Sequence, residues 1–162
     1  MKKLLVLSIL ALAACQPKPT SSDAGKEITA VNADTETCSA CGMVVREQPS
    51  PRGQVVHRDG SREFFCSIDD LVQYLDVPSP RGKPVKVFTE IMSDDHDIED
   101  LSVAWRPWGE AADIFFVTGI DRGGVMGAPA MTYRTQTAAE KAAKELGGMV
   151  VGLEQLRDAS RK

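Results

Sequence analysis

Histidine is nearly absent from this chain, which has 2 in 162 residues. His57 and His96 fall in no His-Glu-x-x-His pattern, and no Gly-x-Ser-x-Gly elbow occurs, so the common hydrolase constellations are missing. No apolar run approaches the roughly 20 residues of a membrane-spanning helix. Basic residues are outnumbered, 19 Lys and Arg against 23 Asp and Glu, which removes the electrostatic footprint of a nucleic-acid binder. The glycine-rich run Gly123-Gly124-Val125-Met126-Gly127-Ala128-Pro129 lacks the Gly-Lys-Ser/Thr ending of a phosphate loop and is no dinucleotide fingerprint. Cysteine is sparse as well, at 4.

The N-terminus accounts for one of those cysteines. Lys2 and Lys3, then an apolar run from Leu4 to Ala14, have the form of a secretory signal. Its ending, Leu12-Ala13-Ala14-Cys15, resembles a lipobox, which makes residues 1–14 a removable signal and Cys15 the acylated first mature residue, anchored in the bilayer. Ordinary cleavage near Ala14 is the alternative. Gln16 after the cysteine points to the outer membrane, with the protein facing the periplasm. Three cysteines then remain, an odd number, so at least one thiol is free, metal-bound or paired with another chain.

Residues 15–35 are rich in Pro, Ser, Thr, Lys and Asp and read as a flexible tether. Beyond it the patterning predicts an α+β fold of two similar ββαβ units, at 36–92 and 111–162, joined by 93–110. In the first unit, Gly53 to Asp59 and Arg62 to Cys66 flank Asp59-Gly60 as a hairpin. Ser67 caps a helix over Ile68 to Leu75, with Asp70 in the capping-box position. Pro78 and Pro80 end that helix, and Val85 to Ile91 forms the returning strand. In the second unit, Ile114 to Thr118 and Met131 to Thr135 are strands. Thr137-Ala138-Ala139-Glu140 reads as the capping box of a helix ending at Gly147-Gly148, followed by strand Met149 to Val151 and a helix over Leu153 to Ala159.

Sulfur carries the chemistry. Cys38-Ser39-Ala40-Cys41-Gly42-Met43 sets two thiols and a thioether within six residues. Such soft donors suit Cu(I), whereas Zn²⁺ usually takes four ligands from Cys, His or carboxylate. In an extended chain Cys41 and Met43 would share one face, and Gly42 would let the backbone bend both sulfurs to one ion. Met43 would otherwise open a strand and face the core. Met126 stands in the glycine-rich loop, where periodicity demands no large apolar side chain; Met92, Met131 and Met149 sit in strand-like runs and read as core. Cys38 and Cys41 also form a C-x-x-C pair. One alternative is a thioredoxin-like redox site, which would require the start of a helix after a strand. Others are a structural zinc site completed by Cys66 and His57 or Asp70, and an incidental disulfide in an oxidising compartment when metal is absent. The acidic run around His96 lacks the glycine of a calcium loop, and Trp105 and Trp108 read as packing residues.

With the lipobox, Cys41-Gly42-Met43 and the later Met126-Gly127, the chain resembles the NosL family of lipoprotein copper chaperones. That resemblance implies a non-catalytic protein of two ββαβ units that binds Cu(I). It further implies delivery to apo nitrous oxide reductase through a membrane-bound assembly complex, with Cys41, Met43 and Met126 as the metal residues. A shorter stretch, Cys38-x-x-Cys41-Gly42-Met43 with Phe64-Phe65-Cys66-Ser67, is similar to TRASH and YHS modules. Asp70 stands where those modules have a further cysteine, which leaves Cys38 and Cys66 as second-rank ligands.

Overall fold

The computed structural model describes residues 27–49, 51–94, 103–120 and 129–161. The signal, Cys15, His96 and Met126 lie outside them.

The expected ββαβ pattern occurs twice. In the first unit β1 (Gly53–Val56) and β2 (Arg62–Phe65) form the hairpin, α1 (Ile68–Asp76) crosses over, and β3 (Lys86–Glu90) returns. β1 pairs antiparallel with both β2 and β3. From 93–110 comes a further strand, β4 (Trp108–Glu110), which pairs with β3 and completes a sheet of order β2-β1-β3-β4. The second unit repeats the plan with β5 (Phe115–Thr118), β6 (Met131–Tyr133), α2 (Gln136–Leu146) and β7 (Met149–Val151), in the order β6-β5-β7. α3 (Leu153–Ser160) ends the fold.

Helix starts follow from side-chain oxygens that accept otherwise unpaired N–H groups. Ser67 Oγ accepts from Asp70 N at 3.1 Å, as its sequence position implies. For α2 the cap lies two residues earlier than Thr137: Thr135 Oγ1 accepts from Ala138 N at 3.2 Å. Both Thr135 and Thr137 suit an N-cap chemically, and β6 ends early enough for the first to take the role. α2 stops at Gly147, which adopts the left-handed conformation with φ +71°.

One strand joins the two halves. Along β5 alternate side chains face opposite ways. Phe116 joins Phe65, Leu71, Ile114 and Leu156 in a core beneath α1 and α3, while Val117 joins Met92, Met131 and the alanine face of α2. Both are fully buried. The end of β3 reaches the second sheet directly, because Met92 N donates to Thr132 O at 2.8 Å and Thr132 Oγ1 to Glu90 O at 2.5 Å. Met92 and Met131 are core, as expected; Met149 is 62% exposed, because Val150 is the β7 residue packed on the second core and strand alternation turns Met149 to the opposite face.

Two stretches assigned to connecting roles by composition are held against the body. In the 15–35 tether segment, Val31 exchanges hydrogen bonds with the Gln54 side chain (3.2 and 2.9 Å), and Ala33 is buried. Trp108 Nε1 donates to Asn32 Oδ1 at 2.9 Å and Trp105 Nε1 to Asp34 Oδ1 at 3.1 Å. Polar side chains reaching out from the folded body order a segment that has little apolar surface of its own. The tryptophans pack, as expected, with ring centroids 6.1 Å apart.

Asp76, at the end of α1, ties down α3. Its carboxylate accepts from Arg161 Nη2 at 2.7 Å, Arg157 Nε at 2.9 Å and Ser160 Oγ at 3.2 Å. The Arg161 and Arg157 guanidiniums hold the Asp76 carboxyl below its ordinary range. A carboxylate whose folded pKa is depressed stabilises the fold above its unfolded value, near 3.9, and that contribution is lost as pH falls through the folded value. Asp76→Asn is therefore expected to lower stability by about 1 kcal/mol at pH 7. In urea titrations the difference from the parent should shrink below pH 4, and a difference unchanged at pH 3 would disprove the tie.

Candidate metal centre

The loop that carries Cys38, Cys41 and Met43 is built on the free edge of β2. Cys38 bridges in parallel to Phe64 and Thr37 in antiparallel to Val44, and Ser39 N donates to Phe64 O at 2.8 Å. The chain then turns tightly: Gly42 N donates to Cys38 O at 2.8 Å and Cys38 N to Met43 O at 2.7 Å. Gly42 makes this possible with φ +77°, a conformation that costs a residue bearing Cβ about 1 kcal/mol or more. Cys41 and Met43 are thus not presented by an extended strand. They flank a left-handed turn, both half-buried against the first core. Val45–Glu47 follows as a 3-10 turn rather than a continued strand.

Cys66 comes from the other wall. It follows the last residue of β2 and precedes the cap of α1, and Asp70 lies one helical turn on, facing back over it. α1 sits close enough to do this because β1 offers Gly53 beneath it: a Cβ there would stand 2.8 Å from Leu71 Cδ2.

Together these elements bring Cys38, Cys41, Cys66 and Asp70 into one cluster, with donor atoms all within 4.8 Å of one another. Cys41 Sγ is 3.4 Å from Cys66 Sγ. Asp70 Oδ2 lies 3.2 Å from Cys66 Sγ and 3.4 Å from Cys38 Sγ, and accepts from both thiols. Cys66 N also donates to Cys38 Sγ at 3.5 Å. Cys38 and Cys66 are buried, at 3% and 2% exposure, and only Cys41 of the three reaches the surface. Burial pushes the Cys38 thiol up; burial and the Asp70 carboxylate push Cys66 up further.

Three thiols and a carboxylate at this spacing have the chemistry to hold a thiophilic cation. Cys38 and Cys66, ranked second by sequence, stand as near to Cys41 as ligands of one ion would. Asp70, named as an alternative zinc ligand, is in the cluster. His57 is not: it is buried, and its Nε2 is 3.0 Å from Tyr74 Oη. The C-x-x-C pair lies in a loop leading into a 3-10 turn, not at the helix start that a thioredoxin-like site needs. The direct Cys41–Cys66 contact went unforeseen, although Cys66-x-x-x-Asp70 at a capped helix start signals a carboxylate folded back over that sulfur. In the reduced protein at pH 8, iodoacetamide is expected to alkylate Cys41 at least tenfold faster than Cys38 or Cys66, because of the three only Cys41 reaches solvent, while burial shields the other two and raises their thiols. Peptide mass spectrometry would read the rates, and equal labelling would contradict the arrangement.

Comparison with known proteins places this site in a family context. The chain is 28% identical over 130 residues to the copper-binding lipoprotein NosL of Stutzerimonas stutzeri. That match covers 78% of this chain and 64% of the relative, so the chain spans under two thirds of the relative's length. The crystal structure of the copper chaperone NosL from Shewanella denitrificans superposes with a TM-score of 0.64 at 24% identity, covering 80% of this chain and 94% of that one, and shares the fold. A solution structure of apo-NosL from Achromobacter cycloclastes matches at a TM-score of 0.46 and 19% identity, over 63% of this chain and 82% of that one. The first is named as a copper-binding lipoprotein and the second as a copper chaperone, and none of the three is named for an enzymatic activity. The NosL family model matches residues 29–160, and the chain belongs to the NosL family.

Proposed function

We propose that this protein is a non-catalytic Cu(I) metallochaperone, anchored in the outer membrane through acylated Cys15 and facing the periplasm. It would pass copper to apo nitrous oxide reductase with the help of a membrane-bound assembly complex. The observation that carries this reading is the half-exposed Cys41–Gly42–Met43 turn, which sets a thiolate and a thioether on either side of one left-handed residue. A low-charge pair of soft donors matches Cu(I).

Met126 is the proposed third ligand. Thr118 and Ala130, at the two stems of its loop, line a cavity of about 130 Å³ together with Ile68 and Asp69. Those last two residues belong to the first turn of α1, directly after Cys66 and Ser67. The stems of the loop therefore reach the first turn of α1, the helix that carries Asp70. Transfer by ligand exchange suits such a site: an acceptor adds a donor at the open side before Cys41 is released.

A second reading has its own support. Asp70 adds a hard oxygen to the three thiols, the mixture expected of a tetrahedral zinc site. Metal analysis of protein purified without added metal separates the two, since one tightly held zinc per chain counts against copper as the cargo.

Anaerobic Cu(I) titration against a competing chelator is expected to show one tight site. Cys41→Ala should weaken it at least 100-fold, and Met43→Leu or Met126→Leu about tenfold each. Unaltered affinity in Cys41→Ala would sink the proposal. Retained affinity with no copper appearing in apo nitrous oxide reductase would remove the acceptor but leave the copper site.

A further inference from the structure

We propose that Cys41 and Cys66 are a redox pair that closes the empty copper site by forming a disulfide. The C-x-x-C motif suggests a different partner, Cys38, which lies within 4.8 Å, but the direct contact of Cys41 is with Cys66. Cys41 Sγ touches Cys66 Sγ at 3.4 Å, whereas Cys38 Sγ donates to Asp70 Oδ2 and receives Cys66 N–H. A disulfide needs the sulfurs at about 2.0 Å, so Cys41 and Cys66 must close by roughly 1.4 Å.

Exposure sets the order of events. Cys41 alone of the three reaches solvent, so an external disulfide meets it first. The Cys41 sulfur attacks one sulfur of that disulfide; a mixed disulfide forms, and the first external thiolate leaves with the Cys41 proton. Cys66 Sγ then attacks Cys41 Sγ, the second external thiolate leaves, and it takes the Cys66 proton. Two protein thiols are oxidised and one external disulfide is reduced to two thiols. The product ties the metal loop to the end of β2, with Cys38 left as a thiol beside Asp70.

Exclusion of copper by this bond rests on the proposed role of Cys41 as the copper thiolate. Metal-loaded protein keeps both sulfurs reduced, and oxidised protein cannot accept copper until an external dithiol restores it.

The test treats the reduced full chain, in detergent, with an excess of oxidised glutathione, then alkylates and maps the peptides. One cross-linked pair containing Cys41 and Cys66 is expected, with Cys38 alkylated after unfolding. The same pair should form in Cys38→Ala. A Cys38–Cys41 bond, or free thiols at all three positions, would overturn the proposal. Prior loading with Cu(I) is expected to slow cross-linking at least tenfold. If loaded protein cross-links as fast as the empty form, the disulfide stands and Cys41 is not the copper thiolate. If no Cys41–Cys66 bond forms while Cys41→Ala still abolishes Cu(I) binding, the redox pair fails and the copper reading survives.

Discussion

The ion pair between Arg52 and Glu90, both entirely buried, is the constraint on which the rest of the architecture leans. Burying two charges is costly and is tolerated only when their hydrogen bonds are satisfied. Here the guanidinium meets the carboxylate with two bonds, Nε to Oε2 at 2.8 Å and Nη2 to Oε1 at 2.7 Å. Arg52 also donates to the carbonyls of Gln48, Val103 and Ala104, and the Trp105 ring covers it at 4.1 Å. Glu90 accepts from the backbone N–H of Arg52 and of Arg106, at 3.0 Å each. These partners include two irregular stretches that no sheet ladder would hold, 46–48 and 103–106. The first directly follows the Cys41–Met43 turn. A charge pair deep in the fold thus fixes one end of the metal loop, and β2 fixes the other.

Glu90 also has a backbone role across the molecule. Its carbonyl accepts from Thr132 in the second sheet, so the residue that secures the metal-loop scaffold also touches the neighbouring unit. β5 makes that union apolar on both faces. The second unit contributes no cysteine, yet it buttresses α1 through α3 and roots the loop that carries Met126.

Much of this fold was legible in the sequence because its signals are local. Asp59-Gly60 between apolar runs, Ser67 before Ile68 and Gly147 after Leu146 each act within a few residues, and the structure places the elements accordingly. Errors arose where tertiary context decides. Met149 is apolar like its neighbours, but Val150 takes the core-facing place and Met149 is turned to the opposite face. The stretch before Thr37 has too little apolar surface to order itself, and Gln54, Trp105 and Trp108 order it from outside. The site was legible as a set of residues but not as an arrangement. Nothing in the spacing of Cys38, Cys41 and Cys66 says that the third sulfur meets the second. That depends on the metal loop joining the edge of β2, a pairing made by backbone groups that carry no sequence signature.

The cluster divides its donors by exposure, and that division matches what a carrier must do. A site that held metal with four buried donors would release it slowly, because an incoming ligand could not reach the ion before a resident one left. Cys41 at the rim, beside the flexible thioether of Met43, offers that approach, while Cys38 and Cys66 are shielded with Asp70 as hydrogen-bond acceptor. The exposure that permits exchange also leaves Cys41 open to oxidants, an obligatory conflict for any thiolate carrier outside a reducing compartment. A sulfur placed 3.4 Å behind it turns that vulnerability into a reversible state, since an internal disulfide can be reduced again whereas higher oxidation of a lone thiolate cannot. Carrier and safeguard would then share one sulfur, and copper itself would decide which of the two states the protein occupies.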